Sequence, residues 1–342
     1  MITGLRVMGS IALAAAAAAV MAQSGSSERA AGDYLGEEPP GVEPRVFAPG
    51  IVSTGLSERD IAVTPEGDEI FFSQFAGSYT FGAIMRVRRV AGRWQAPEVA
   101  PFSGTPGDLD LEPALSWDGT TLYFLSNRPD PPRRSERNED IWVADRLPGG
   151  AWSAPRTLGA PVNSEHKEYF PSLTRTGTIY FTRENVTTGD SAIFRCRRLD
   201  GAWAPAERLP DAVNSGTARF NAFVAPDESY LIYGMIGRQD TLGSVDYYVA
   251  FRQPDDTWSE PVNLGPTVNT PGQNEYSPYV TRDGRYLFFM SGRTAAAAEL
   301  FGDRIDSQEL QRVGGRHGNG HADIWWVDAS FIERLRPPRP AP

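Results

Sequence analysis

Apolar residues in this chain fall into short runs, each introduced by a turn signal. Pro65-Glu66-Gly67 precedes Ile70-Phe71-Phe72, Asp118-Gly119 precedes Leu122-Tyr123-Phe124, and Thr176-Gly177 precedes Ile179-Tyr180-Phe181. Two more copies are Asp227-Glu228 before Tyr230-Leu231-Ile232-Tyr233 and Asp283-Gly284 before Tyr286-Leu287-Phe288-Phe289. An Asp-Gly pair between β-rich runs predicts a hairpin, because glycine accepts the positive φ of a tight turn. A second apolar run follows each hairpin: Ala83–Val87, Asp140–Ala144, Ala192–Cys196, Asp246–Ala250 and Asp323–Val327. No helical periodicity of useful length intervenes, so the chain reads as all-β.

The unit is closed by a third mark, a tryptophan followed by proline: Trp94-Gln95-Ala96-Pro97, Trp152-Ser153-Ala154-Pro155, Trp203-Ala204-Pro205 and Trp258-Ser259-Glu260-Pro261, 51 to 58 residues apart. Each copy then reads as four strands: an inner one before the turn, two apolar ones, and an outer one carrying the Trp-x-x-Pro mark. Four-stranded units of this period predict a β-propeller. Five blades are expected, and six if 294–321 hides another. The last unit stops after Asp328 without a tryptophan strand, while Phe47-Ala48-Pro49 stands ahead of the first inner strand. Residues 45–52 are therefore expected to complete the blade made by 277–330, leaving no open sheet edge between first and last blades.

The stretch Glu112-Pro113-Ala114-Leu115-Ser116-Trp117-Asp118-Gly119, continuing to Asn127-Arg128 and followed by Asp140-Ile141-Trp142-Val143, resembles the WD40-like β-propeller repeats of the TolB type. Copies at 171–182 and 277–293 extend the resemblance over about residues 45–330. It implies a propeller of a bacterial periplasmic or secreted protein that makes protein–protein contacts at one face. Related propellers shape the entrance of secreted peptidases, but no Gly-x-Ser-x-Gly elbow occurs here.

Composition narrows the function. A single cysteine, Cys196, excludes an intrachain disulfide and a Cys-rich zinc site. Its alignment with Val87, Ala144, Ala250 and Val327 makes it an apolar filler. Three histidines leave few candidates for an imidazole metal cage, and a net charge of −10 argues against a nucleic-acid partner. Residues 1–22 read as a signal peptide: Arg6, an apolar run from Ile11 to Val20, and a small-residue cleavage site before Gln23. Residues 23–44 read as a flexible leader, 45–335 as one propeller domain and 336–342 as a Pro-rich tail. The expected location is the periplasm or the exterior, at most peripheral to a membrane.

Candidate binding residues come from aligning the inner strands. Three residues ahead of Ile61, Pro113, Pro171, Ala222 and Pro278 stand Glu58, Asp110, Glu168, Arg219 and Glu275; one residue ahead stand Asp60, Glu112, Phe170, Asn221 and Ser277. In a propeller these positions become rings around the axis at one mouth. Such a funnel suits an amine, a cation or a peptide terminus. Alternatively the acids cap neighbouring loops and pair with Arg128, Arg183 and Arg293, with Arg219 bridging acids across the mouth. No cofactor or metal is expected. Asp108-x-Asp110-x-Glu112 lacks the glycine of a calcium loop, and Gly318-Asn319-Gly320 between His317 and His321 breaks the geometry of a zinc helix. The tryptophans are expected in blade-to-blade packing, and Val162-Asn163-Ser164, Val213-Asn214-Ser215 and Val268-Asn269-Thr270 in turns. Features that break the repeat are the loops 75–81, 129–139 and 294–321.

Two functions fit. One is a non-catalytic periplasmic or secreted propeller holding a protein, a peptide or a glycan at its funnel mouth and long loops. The other is a five-bladed glycoside hydrolase or lyase using paired carboxylates among Asp60, Asp110, Glu112, Glu168 and Glu275. A deep pocket with paired acids favours the enzyme, and a flat or arginine-plugged mouth favours the binder.

Overall fold

The computed structural model describes residues 32–130, 137–301 and 305–338. The signal-peptide segment lies outside the described residues, as do 131–136 of the 129–139 loop, 302–304 of the insertion and 339–342 of the tail.

Five antiparallel blades of four strands each, the first extended by the short strand Arg93–Trp94, form a five-bladed β-propeller. Their inner strands are Ser57–Val63, Asp110–Leu115, Lys167–Leu173, Ala218–Val224 and Tyr279–Val280. The second strands are Glu69–Ala76, Thr121–Ser126, Ile179–Glu184, Tyr230–Ile236 and Tyr286–Ser291, and the third are Phe81–Val90, Asp140–Asp145, Ser191–Cys196, Asp246–Phe251 and Asp323–Asp328. A middle strand is packed by neighbouring blades on both faces, which is why Tyr286–Ser291 and Asp246–Phe251 are buried at every position and read as continuous apolar runs.

The ring closes as the sequence predicts. Arg45–Val46 pairs with Asp323–Asp328, Arg45 opposite Trp326 and Val46 opposite Trp325. The Phe47 N–H donates to the Ile324 carbonyl at 2.8 Å, and Phe47, Ala48 and Val52 are completely buried. The Phe47 ring meets Phe288 edge-on at 5.0 Å and Trp326 at 5.3 Å.

The blade count is the expected five, and three expectations change in detail. The insertion holds two short helices, Ala297–Leu300 and Ser307–Gly314, so there is no sixth blade. The outer strands begin after the Trp-x-x-Pro mark, at Glu98–Val99, Arg156–Thr157, Glu207–Arg208 and Val262–Asn263. The tryptophans themselves sit in small hairpins or bridges just before, where the ring can turn into the seam between blades: Trp152 packs on Phe71 at 5.7 Å and Phe102 at 6.0 Å. The segment read as a flexible leader is anchored from Gly32 onward. Its Tyr34 lies 5.6 to 5.8 Å from Tyr286, Phe288 and Trp326, Leu35 is buried, and the Gly32 carbonyl accepts from Trp94 Nε1 at 2.8 Å. The start of the tail is held too, with Arg336 4.3 Å above the Phe251 ring and paired with Glu333.

Candidate functional site

Every inner strand carries the same irregularity. Asp60, Glu112, Phe170, Asn221 and Ser277 all have positive φ, between 53° and 69°. In four blades the ladder shifts register there, between Arg59 and Ile61, Leu111 and Ala114, Tyr169 and Ser172, and Phe220 and Phe223. A bulge re-aims the side chains around it, and repetition of the bulge builds a site around the axis. Non-glycine residues in this conformation cost of order 1 kcal/mol each, held here by bonds from the preceding blade. Ser73 Oγ accepts from the Glu112 N–H at 2.8 Å, the Glu112 carboxylate from the Phe170 N–H at 2.6 Å, and Thr182 Oγ1 from the Asn221 N–H at 2.9 Å.

The outer ring of acids is turned into loops. Glu58, Asp110, Glu168 and Glu275 have no solvent exposure. Glu58 accepts from the Thr54 N–H at 3.0 Å, Thr54 Oγ1 at 2.5 Å and Gln74 at 2.9 Å. Glu168 accepts from the Ser164 N–H at 2.9 Å, the Ser164 hydroxyl and Arg183 at 2.7 Å, and Glu275 from the Thr270 hydroxyl and Ser291 at 3.1 Å. Asp110 accepts from Ser103 at 2.9 Å and Arg128 at 2.6 Å. Burial raises the carboxyl pKa of Glu58, Glu168 and Glu275 above the ordinary range.

The Asn-Ser/Thr turns complete these clasps. Asn163 bonds both the N–H and the carbonyl of Ile141 at 2.9 Å, Asn214 those of Ile193, and Asn269 those of Tyr247. Each asparagine ties a third strand to the loop entering the next blade, and the following Ser164 or Thr270 ties that loop to the next blade's acid. Arg128, Arg183 and Arg293 reinforce the same loops through the carbonyls of Phe102, Val162 and Val268.

Arg219 stands apart. Its side chain donates only to the Gly216 carbonyl, at 3.4 Å, and forms no ion pair with another described residue. The expected bridge to neighbouring acids is absent because each of those acids is already engaged by its own loop.

The axis is filled instead by Arg59, which the ring alignment did not single out. Its side chain is 5% exposed. The guanidinium donates to Glu112 at 2.8 Å and to Ser277 Oγ at 3.2 Å and lies 3.4 Å from Asp60. Above it the rings of Tyr79 and Tyr276 stand at 5.2 and 5.4 Å, joined to each other through their hydroxyls. Asp60 also accepts from Ser73 at 2.6 Å, and Asn221 donates to Ser277 at 3.1 Å. Burial raises Glu112 to about 7 against the opposing pull of Arg59. The signal for Arg59 was in the alignment: its counterparts are Leu111, Tyr169, Phe220 and Tyr276, so it is the one charge in an apolar collar.

Beneath the arginine, Asp60 and Glu112 head a narrow axial cavity of about 70 Å³ walled by Pro113, Pro171, Pro278 and Phe223. Near the far end Trp117 lies under two guanidinia, Arg282 at 4.5 Å and Arg175 at 4.8 Å, and Arg282 donates to the Trp117 and Ser116 carbonyls.

On the mouth side, off the axis between the first and last blades, lies a larger groove of about 480 Å³. Two of the segments that break the repeat build it: the 75–81 loop supplies Phe75 and Tyr79, and the end of the insertion supplies Gly320 and His321. His321 Nδ1 lies 3.0 Å from the Gly55 carbonyl, while His317 lies outside the groove lining. Among the described residues no group of three or more His, Cys, Asp or Glu side chains is placed to hold a metal.

By class the molecule is a five-bladed β-propeller with a plugged axis. No family model and no curated protein matches the chain. Among solved structures it is similar to TolB from Acinetobacter baumannii, at 15% identity and a TM-score of 0.42 over 80% of this chain, which spans 57% of the TolB chain. It is also similar to a thermostable family-43 glycoside hydrolase (14% identity, TM-score 0.47, 84% of this chain and 96% of that one). A third likeness is to the GH43 endo-arabinanase from Bacillus licheniformis (14%, 0.45, 79% and 93%).

Proposed function

We propose that this chain is a non-catalytic binding propeller, acting in the periplasm or outside the cell, whose mouth and long loops hold a protein or peptide. The observation that carries this reading is Arg59. Hydrolysis by a carboxylate pair needs both acids to face a substrate, one protonated and one ionised, about 5 to 9.5 Å apart. Here Asp60 and Glu112 both face one buried guanidinium under two tyrosines. The acids of the outer ring are bonded to their own loops, which removes the remaining carboxyl supply from the mouth.

One feature favours the hydrolase or lyase reading: Glu112, raised to about 7, has the proton affinity of a general acid. Burial against Asp60 accounts for that affinity, and Arg59 occupies the place a substrate would need. The test is turnover of a panel of aryl glycosides and polysaccharides by the wild type and Glu112→Gln. No turnover above background is expected from either protein. Release of sugar by the wild type that disappears in Glu112→Gln would establish the enzyme instead.

A further inference from the structure

The mouth groove has a chemical character distinct from the axis beneath it. Its described lining contains no acid, arginine or lysine, and His321 is its one ionisable group apart from tyrosine hydroxyls. A charged ligand would find no counter-ion there, although the protein carries a net charge of −10. Its rim is apolar: Leu56 lines it at 44% exposure, and Phe81, cross-strand from the lining residue Ala76, is 68% exposed.

Main chain is laid bare along the wall. Gly292 and Gly320 both line the groove; the Gly292 N–H and carbonyl and the Gly320 carbonyl make no hydrogen bond to another described residue, while the Gly320 N–H is turned to Arg293 in the bridge between Thr294 and Asn319. The amide side chains of Gln273 and Asn274 stand on the same wall. A Cβ on Gly292 would come within 2.9 Å of Gln273 Oε1 and 3.4 Å of the Gly320 carbonyl. Any larger residue at Gly292 thus presses on the groove wall, against the end of a movable side chain.

The aromatic rings are not open platforms for a sugar. Tyr79 stacks on Phe75 at 4.4 Å and also packs against Arg59. Tyr276 has Arg59 at 5.4 Å and Phe220 edge-on at 5.7 Å. Inside the groove a saccharide would find no free aromatic face to stack on, and the exposed ring of Phe81 stands at the rim, outside the lining. An extended polypeptide needs what the groove provides: unpaired main-chain donors and acceptors, adaptable amides, and apolar places for alternate side chains.

We infer that this groove binds an extended, uncharged polypeptide segment of a partner protein, main chain against Gly292 and Gly320 and apolar side chains against Leu56 and Phe81. The inference rests on the reading of the mouth as a binding face and assigns the occupant of that face.

The test is affinity selection from a displayed random-peptide library, followed by binding measurements with the selected peptides on the wild type, Gly292→Val and Leu56→Asp. Leu56 is at the surface, so its substitution leaves the fold intact, and thermal melting checks both variants. Selected peptides should be apolar and uncharged, bind with little dependence on salt, and lose about tenfold or more in affinity on both variants. A charged consensus with salt-sensitive binding would overturn the occupant's chemistry, as would failure to select any peptide. Peptides that bind both variants like the wild type would move the site elsewhere and leave the binding-propeller reading standing. Turnover of a glycoside would sink that reading separately.

Discussion

Replacing Arg59 with methionine removes the axial cation while keeping an unbranched, apolar side chain of comparable reach. In the wild type the guanidinium is 2.8 Å from Glu112, 3.4 Å from Asp60 and 3.2 Å from Ser277, with two aromatic rings within 5.4 Å. Breaking a buried ion pair by deleting one partner costs about 3–5 kcal/mol, because the other partner remains buried and uncompensated. That is a large share of the roughly 5–15 kcal/mol that holds a domain folded. The loss should depend on pH with a definite sign. Glu112 is already raised to about 7 by burial, and Arg59 is what pulls it down. Without that pull its pKa rises further. A raised carboxyl pKa means that the native state keeps a proton the unfolded chain has released, so stability falls as pH increases above about 4.5. Urea unfolding at about pH 5 and about pH 8 should therefore show the larger penalty at the higher pH. Adding Glu112→Leu and Asp60→Asn should recover much of it, since a buried ion pair and a packed apolar group are often of similar stability. A variant within about 1 kcal/mol of the wild type at both pH values, or one hurt more at the lower pH, would refute this account of the axis.

Three further substitutions probe the loops around the mouth. Asn163→Ala leaves the Ile141 N–H without its partner, while the Ile141 carbonyl keeps the Leu158 N–H at 3.0 Å, and should cost about 1–3 kcal/mol in urea unfolding, the penalty of one buried unsatisfied group. Asp323, raised from 3.8 to about 7 mainly by burial with Glu58 adding to it, accepts from the Gly318 N–H at 2.7 Å. Its contribution to stability falls as pH rises from about 4 toward 7. Asp323→Asn keeps the Gly318 bond, so it should melt like the wild type at about pH 5 and above it at about pH 8; identical pH profiles would contradict the assignment. Arg219→Ala removes a single long bond to Gly216 and should change stability by about 0.5 kcal/mol or less, with no dependence on salt in thermal melts.

The blades were legible because each must bury the same seam, so the chain repeats its turns, its middle strands and its tryptophans. Closure by Arg45–Val46 was legible for a related reason, since the missing outer element of the last blade stands at the start of the domain. The axial site was half legible. Aligning the inner strands picked out all five positive-φ positions, from Asp60 to Ser277, but the row of acids pointed to Arg219 as the odd cation. Arg219 proves peripheral, and Arg59, one charge among Leu111, Tyr169, Phe220 and Tyr276, is the residue whose environment demands partners. Local sequence could not show that Glu58, Asp110, Glu168 and Glu275 turn into loops. Their partners Thr54, Ser103, Ser164 and Thr270 lie four to seven residues upstream, within reach only once the entry loop folds back on the strand. The mouth groove joins residues far apart in the chain, Leu56 and Tyr79 with Gln273 and His321, and takes shape only when the first and last blades meet.

The central claim, a mouth that binds a partner above an axis closed by Arg59, is tested most directly by site-specific photo-crosslinking. A photoreactive phenylalanine analogue placed at Phe81, on the mouth side, is compared with one at Leu199, 58% exposed in the small Arg198–Leu199 hairpin away from the groove. The probe is the peptide recovered by display. The account predicts one discrete adduct from position 81, abolished by Gly292→Val, and none from position 199. An adduct from position 199 alone, or adducts from position 81 that persist unchanged in Gly292→Val, would contradict it.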